Sequence, residues 1–271
     1  AMAARTSKSL GGGTAYPHIS YLVSLKPSRM NMSLDAISAV LARLGNPEKR
    51  YPSVLVAGTN GKGSVTTYVS SVLRAAGLRV GTYYSPHIFR FHERVRVDGE
   101  EISSRELNDL VGRVRARSRD VPLTYFELLT AVAALHFLER HVDVAVFEVG
   151  LGGRLDATNL VEAAVTVITG ISNDHRDRLG RTKERILGEK LGIVRTGVPL
   201  VANLAPRGLA ARAEAHCARR GAPYHPVRDE ARSSVSLIEP SRMLVRLRTA
   251  RRDYGELDTR MPEYRAVATP T

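Results

Sequence analysis

The sequence contains a single cysteine, Cys217, among its 271 residues. An intrachain disulfide is therefore impossible, and the composition fits a reducing compartment. No uninterrupted apolar run approaches the roughly 20 residues that a membrane-spanning helix requires. The first 17 residues are small, polar and glycine-bearing, without the apolar region of a signal peptide. These absences exclude a disulfide scaffold, and they predict a cytoplasmic protein with no membrane partner.

Acidic residues are scarce relative to basic ones. The chain has 27 Asp and Glu against 40 Lys and Arg, which gives a formal net charge of +13. Such a surface attracts nucleic acids, but polyanionic small molecules benefit from the same field. The positive charge is dispersed along the chain and lacks a dense cluster with interleaved aromatic residues. Nucleic-acid binding is therefore not expected as the main function.

A glycine-bearing turn at residues 57–66 is the most informative segment. It follows the apolar run 54–56 and precedes an amphipathic stretch at 66–76, which predicts a strand, a tight turn and a helix. Glycines let successive N–H groups converge on an anion, and the helix N-terminus adds positive partial charge. We expect this P-loop to bind a nucleoside triphosphate, through Gly58, Thr59, Asn60, Gly61, Lys62, Gly63 and Ser64.

Two roles within this turn follow from side-chain chemistry. Lys62 would reach the terminal phosphates, and the Ser64 hydroxyl would ligate a magnesium ion. The match to the usual P-loop pattern is imperfect, because Val56 stands where its first glycine falls and Gly63 separates the lysine from the hydroxyl residue. The alternative is a glycine-rich strand-to-helix turn with a solvated lysine.

Strand-like and helix-like segments alternate up to about residue 228. This alternation predicts an α/β fold with a mostly parallel sheet and helices on both faces. Residues 1–20 are interpreted as a flexible leader, and residues 21–228 as the nucleotide-binding domain. From 229 to 271 we expect two short antiparallel strands, at 235–238 and 243–247, and a polar tail from Tyr254 onward.

Polar side chains also follow two later strands. Glu148 lies near the C-terminal end of the predicted strand 142–149 and would lie near the P-loop edge of a parallel sheet, as a magnesium ligand or as an acid paired with an arginine. Asn173, Asp174 and His175 follow the next strand. Lys190 lies in a predicted helix from Thr182 to about Arg195, where it is either functional or half of a surface ion pair.

In order along the chain, these motifs resemble the folylpolyglutamate synthase and dihydrofolate synthase family, a branch of the Mur-like ATP-dependent amide ligases. The resemblance runs from about 21 to about 203. It rests on the segments VAGTNGKGS (56–64), SPH (85–87), RFHER (90–94), TYFE (124–127), EVGLGGRLDATN (148–159), DH (174–175) and EK (189–190). It implies a P-loop NTPase-like Mur ligase central domain.

The resemblance also implies a set of ligands. Two magnesium ions are expected, one held by Ser64 and Glu148 and the other near His175 and Lys190, which is often carbamylated in this family. The catalytic residues would be Lys62, His175 and Lys190, and Asn159 would join the P-loop in binding ATP. The substrate-binding residues would be Ser85, Pro86, His87, Arg94, Tyr125, Phe126 and Arg154.

The implied reaction joins L-glutamate to a folate or dihydropteroate carboxylate through an acyl phosphate. Family members carry a second, C-terminal α/β domain, so we expect this activity to need a separate domain or protein partner. Two other hypotheses stay open at this point. The chain is a Mur-like ligase for another carboxylate and amine, or a non-catalytic nucleotide-binding module.

Overall fold

A large, mostly parallel sheet organises the protein, which we describe from a computed structural model at residues 16–25, 33–172, 182–239 and 242–260. Its strands are β1 (Ser53–Ala57), β2 (Val80–Tyr83), β3 (Val95–Val97), β4 (Glu100–Glu101), β5 (Val144–Glu148), β6 (Ala163–Ile168), β7 (Leu200–Ala202) and β8 (Tyr224–Pro226). Within these residues the order is β4-β3-β2-β5-β1-β6-β7-β8. Strands β3 and β4 form an antiparallel hairpin at one edge, and the others run parallel.

Helices flank and connect these strands, and several of them begin at local sequence signals. They are α1 (Pro17–Ser24), α2 (Asp35–Arg43), α3 (Lys62–Ala75), α4 (Ser104–Arg117), α5 (Tyr125–Glu139), α6 (Lys183–Lys190), α7 (Arg207–Ala218) and the short α8 (Val227–Glu230). Capping boxes start α4, through Ser103 and Glu106, and α5, through Thr124 and Glu127. None of the helices in the described ranges has the length and apolarity needed to cross a bilayer.

The two faces of the sheet carry separate apolar cores. Leu55 of β1 lies in the larger core with α5, whereas its neighbour Val56 lies in the smaller core beneath α3. Successive strand residues point to opposite faces, so both faces are covered by helices. This arrangement confirms the expected α/β fold with a mostly parallel sheet.

The N-terminal boundary differs from the expectation. Residues 17–20, assigned to the leader, lie in α1, and Ile19 is buried. The side chain of Asn108 in α4 accepts hydrogen bonds from the backbone N–H groups of His18, at 3.0 Å, and Ile19, at 3.4 Å. A partner 90 residues away completes the first turn of α1, so the local pattern did not reveal this helix.

The C-terminal part forms a second sheet that is larger than expected. Strands β9 (Ala231–Glu239), β10 (Arg242–Thr249) and β11 (Asp253–Arg260) are antiparallel, with β10 in the centre. The assignment of Tyr254 and the following residues to a tail was wrong as far as Arg260. The polar sequence of β11 has a weak β propensity by itself. Pairing with β10, for example of Leu257 with Val245, stabilises this strand.

The expected domain boundary near 229 stays a proposal. It falls in α8, between the last strand of the large sheet and the first strand of the small one.

The helix expected to extend to Arg195 ends instead at Lys190, and a 3₁₀ turn, Leu191–Ile193, follows. Gly192 lies in this turn and packs closely against Arg154, because a Cβ at Gly192 would come within 2.4 Å of the Arg154 Cβ. Packing against the segment that follows β5 therefore redirects the chain at this point.

A buried carboxylate lies just before β1. Glu48 is only 3% exposed, and its Oε2 accepts no hydrogen bond from the described part of the chain. Burial raises the pKa of this carboxyl above its ordinary value, although a backbone N–H and Lys49 oppose the shift. The ionised form of Glu48 therefore destabilises the fold near neutral pH.

We expect Glu48→Gln to raise the thermal unfolding midpoint by about 3 °C at neutral pH, because a neutral amide costs about 1 kcal/mol less to bury here. The pKa of Glu48 is higher in the folded protein than in the unfolded chain. The wild-type protein therefore loses stability as the pH rises from the ordinary pKa range of glutamate through the pKa of Glu48 in the folded state. Circular dichroism melts at about pH 3.5 and about pH 7.5 should show the difference only at the higher pH. Glu100→Gln, at an exposed position, is the control, and a lower midpoint for Glu48→Gln at neutral pH would contradict the prediction.

Candidate functional site

The predicted P-loop connects β1 to α3 at the carboxyl edge of the parallel sheet. Gly61 is the N-cap of α3 with φ +77°, and Gly58 has φ +153°. Both values lie where side chains other than glycine are strained. Helix α3 then begins at Lys62, so its unpaired N–H groups open toward the loop. The backbone has the form of an anion-binding cradle.

The segment that follows β6 holds the P-loop in place. The Thr59 N–H donates to the Gly170 carbonyl at 2.9 Å, and the Thr169 hydroxyl donates to the Asn60 carbonyl at 2.6 Å. The Ser172 N–H donates to the Thr59 hydroxyl at 3.1 Å. We call residues 169–172 the β6 brace. The sequence did not reveal the role of this segment, because its contacts with the P-loop join residues more than 100 positions apart.

Two lysines approach carbonyl groups of the P-loop. Lys62 Nζ donates to the Thr59 carbonyl at 3.3 Å. Lys190, which is only 3% exposed, donates from Nζ to the Gly58 carbonyl at 2.8 Å across a separation of 132 residues. The structure thus brings the predicted Lys190 to the P-loop, and its burial excludes the alternative of a surface ion pair.

Glu148 ends β5, which lies between β1 and β2 in the sheet. It pairs in register with Val56, just before the P-loop, and is buried. Its Oε2 accepts a hydrogen bond from the Ser85 N–H at 3.0 Å. Glu148 therefore joins the end of β5 to the loop after β2, while Ser64 lies half-buried in the first turn of α3.

The oxygen donors of Ser64 and Glu148 fit a magnesium ion, which takes few protein ligands and keeps water or phosphate oxygens. Among the described residues, no three His, Cys, Asp or Glu side chains form a metal-binding group. A site completed by nucleotide phosphates does not require one. His175, the predicted ligand of a second ion, lies outside the described residues together with Asn173 and Asp174.

The candidate substrate loop, residues 85–94, follows β2 and contains the predicted Ser85, Pro86, His87 and Arg94. The buried Arg94 donates from Nε to His87 Nδ1 at 2.9 Å, and its guanidinium carbon lies 5.3 Å from the centre of the Tyr125 ring. Burial first, and then the Arg94 charge, lower the pKa of His87. At neutral pH His87 is therefore an uncharged acceptor beside a fixed cation.

Phe126 lies next to this loop on the first turn of α5. Its ring centre is 5.8 Å from that of Tyr83, and a Cβ on Gly150 would come within 2.7 Å of its Cζ. Tyr125 and Phe126 are thus held between the substrate loop and the segment that follows β5. The structure brings together most of the predicted substrate residues.

Arg154 and Asn159 have contacts of a different kind. Arg154 donates to the Gly188 carbonyl at 3.1 Å and lies 3.6 Å from the Glu189 carboxylate. The Asn159 amide donates to the carbonyls of Arg154, at 3.0 Å, and Gly192, at 3.2 Å. These contacts tie the segment after β5 to the end of α6, which carries Lys190. The predicted contacts of Arg154 with substrate and of Asn159 with ATP stay predictions.

Comparison with known proteins matches this site to one family. Residues 56–216 match the Mur ligase middle domain. The chain is 46% identical over 175 residues to a dihydrofolate synthase/folylpolyglutamate synthase of Bacillus subtilis, covering 62% of this chain and 41% of that protein. A solved FPGS–AMPPCP–folate complex aligns with a TM-score of 0.84 at 34% identity, over 89% of this chain and 61% of that one.

A second solved structure, E. coli FolC in complex with DHPP and ADP, aligns with a TM-score of 0.77 at 38% identity, over 90% of this chain and 57% of that one. In each of these comparisons the chain spans less than two thirds of the similar protein.

Proposed function

Since this chain belongs to the Mur ligase family, in its folylpolyglutamate synthase and dihydrofolate synthase branch, we propose that it forms the ATP-dependent core of a ligase that joins L-glutamate to a folate-type carboxylate. The position of Glu148 carries the proposal. It stands on the strand between β1, which leads into the P-loop, and β2, which leads into the substrate loop. A phosphoryl donor and a carboxylate acceptor would meet at this strand end.

The P-loop would hold the phosphates of ATP. The unpaired N–H groups at the start of α3 provide donors, and the end of the helix provides positive partial charge. The Lys62 ammonium would leave the Thr59 carbonyl and neutralise charge on the transferred phosphoryl group. The β6 brace would keep the loop in its binding conformation.

Ser64 and Glu148 would hold one magnesium ion, which supplies electrostatic stabilisation of the phosphoryl oxygens. For a second ion we propose His175 and a carbamylated Lys190. In this structure the buried Lys190 amine donates to Gly58, and an ammonium repels a metal ion. Addition of CO₂ to the neutral amine, with loss of a proton from its nitrogen, would give an anionic oxygen ligand at the same position.

In the reaction, an oxygen of the substrate carboxylate attacks the γ-phosphorus of ATP, and the bond to ADP breaks. The amine of L-glutamate then attacks the resulting acyl phosphate, loses a proton and displaces phosphate. Arg94 would bind a substrate carboxylate, with Tyr125 against its guanidinium. His87, Pro86 and Phe126 would flank the pterin ring.

Calorimetric titration tests this proposal, with ATP–Mg²⁺ added first, dihydropteroate second, and phosphate release followed after addition of L-glutamate. Binding of both ligands with phosphate release would support a ligase core. ATP binding without dihydropteroate binding would favour a Mur-like ligase for another carboxylate and amine. Binding of both without phosphate release would favour a nucleotide-binding module that needs a separate domain or protein partner.

We expect Ser64→Ala to weaken ATP binding about tenfold in the presence of Mg²⁺ and to leave Mg²⁺-free binding unchanged, because one of the metal's oxygen ligands is lost. Ser71→Ala, at an exposed position further along α3, is the matched control. Equal ATP affinities for Ser64→Ala and the wild-type chain in Mg²⁺ would remove Ser64 from the metal site.

A further inference from the structure

One carboxylate organises the tip of the substrate loop. Glu93 Oε2 accepts the N–H of Ile88 at 3.0 Å, and its Oε1 accepts those of Phe89 at 3.0 Å and Arg90 at 2.8 Å. Burial acts to raise the pKa of Glu93, but these N–H groups and Arg96 lower it below the ordinary value. Glu93 is therefore ionised near neutral pH and holds three consecutive backbone groups.

The tip held in this way presents two large apolar side chains to solvent. Ile88 is 52% exposed and Phe89 is 67% exposed. Phe91, two residues further along, packs instead against the larger core and stacks on His92 at 4.4 Å. Exposed apolar residues contribute little to folding, and adjacent ones beside a polar site are typical of a surface that contacts a ligand.

The loop is fixed at both ends to residues of the candidate site. Ser85, at its start, donates to Glu148, and Arg94, at its end, contacts His87 and Tyr125. The apolar tip thus lies within six residues of both anchors. Because β2 and β1 are separated by β5, the substrate loop begins roughly 10 Å from the P-loop strand, the width of two strand spacings.

We propose that Ile88 and Phe89 form an apolar contact for the planar ring system of the substrate, and that Glu93 is the positioning residue for this contact. The inference rests on the proposed function and extends its substrate site. A flat aromatic ring matches an exposed phenyl group, which favours offset or edge-to-face stacking. The loop that carries the tip begins two strand spacings away from the P-loop strand, so we assign the tip to the acceptor substrate, whose carboxylate would then reach toward Glu148.

Titration of dihydropteroate into the full chain with ATP–Mg²⁺ present tests the apolar contact. We expect Phe89→Ala to weaken dihydropteroate binding about tenfold and to change ATP affinity less than twofold. Phe89→Tyr, which keeps the ring, should retain wild-type affinity. Val72→Ala removes an apolar side chain of similar exposure, 68%, from the outer face of α3 and should have no effect.

Two outcomes of this titration would overturn the inference, and they differ in whether the proposed function also fails. If the wild-type chain binds ATP but no dihydropteroate, the proposed function and the apolar contact both fail. If it binds dihydropteroate and Phe89→Ala binds it equally well, the contact fails alone and the proposed function stands.

A double-mutant cycle tests the positioning role. Glu93→Gln should weaken dihydropteroate binding about as much as Phe89→Ala, and the double variant should be no weaker than either single one, because both changes remove the same contact. Asp143→Asn is the control, since Asp143 also accepts a backbone N–H, that of Arg79 at 2.7 Å, and both residues lie just before β5 and β2, at the end of these strands opposite the substrate loop. Additive losses, or an equal loss of dihydropteroate affinity in Asp143→Asn, would overturn the role of Glu93.

Discussion

Replacing Gly58 with alanine is expected to weaken ATP binding by at least about 100-fold, or about 2.7 kcal/mol. The new Cβ would lie 1.8 Å from the Thr169 hydroxyl oxygen and 3.2 Å from the Thr169 backbone nitrogen. In addition, the φ of +153° at Gly58 lies in a region that alanine rarely adopts. Backbone strain costs about 1–3 kcal/mol and overpacking a similar amount, so the loop would leave its present conformation.

Gly58→Ala loses ATP affinity because part of the binding free energy would be spent on returning the loop to its strained conformation. Calorimetric titration of ATP–Mg²⁺ measures the affinity, and circular dichroism tests whether the variant is folded. Gly208→Ala is the matched control, because a Cβ on this α7 residue meets no atom within 4 Å. Wild-type ATP affinity in Gly58→Ala would mean that nucleotide binds without the observed loop conformation.

Lys62→Met is expected to weaken ATP binding by about 100-fold, because a charge-assisted hydrogen bond to phosphate contributes about 1.5–3 kcal/mol. Methionine keeps the length of the side chain and removes its charge. Lysines at this position of a P-loop reach the terminal phosphates, so ATP and ADP should be affected and AMP should not. Titration of the three nucleotides distinguishes a local phosphate contact from general misfolding.

Lys49→Met is the charge-matched control for Lys62→Met. Lys49 is exposed and precedes β1, so it lies at the opposite end of that strand from the P-loop. The change in net charge is the same, and only a long-range electrostatic effect would weaken binding in both variants. An equal loss of AMP affinity in Lys62→Met would contradict the assignment of Lys62 to the terminal phosphates.

Local patterns in the sequence predicted elements whose causes are also local. The starts of α4 and α5 have such local causes, because at Ser103 and Thr124 an N-cap hydroxyl and a glutamate three residues later bond the same helix turn. Strand β11 lacked such a signal. Its backbone hydrogen bonds come from β10, and its side chains are mostly polar.

The substrate loop shows the same division. The family resemblance rests in part on residue types in this loop, those of Ser85, Pro86, His87 and Arg94. It did not predict how these side chains lie relative to one another. Arg94 meets Tyr125 because α5 packs across the end of β2, and Ser85 meets Glu148 because β5 is the neighbour of β2. The role of Glu93 was missed because accepting three N–H groups depends on how the loop folds back on itself.

The sequence by itself determined the α/β fold, the P-loop and the residue types of the site, because each rests on hydrophobic periodicity or on chemistry within a few neighbouring residues. Only the tertiary structure decided that the β6 brace holds Thr59 and Asn60, and that Lys190 reaches Gly58. These contacts join residues more than 100 positions apart. They form because parallel strands bring their carboxyl ends to one edge of a sheet, in an order that no local pattern contains.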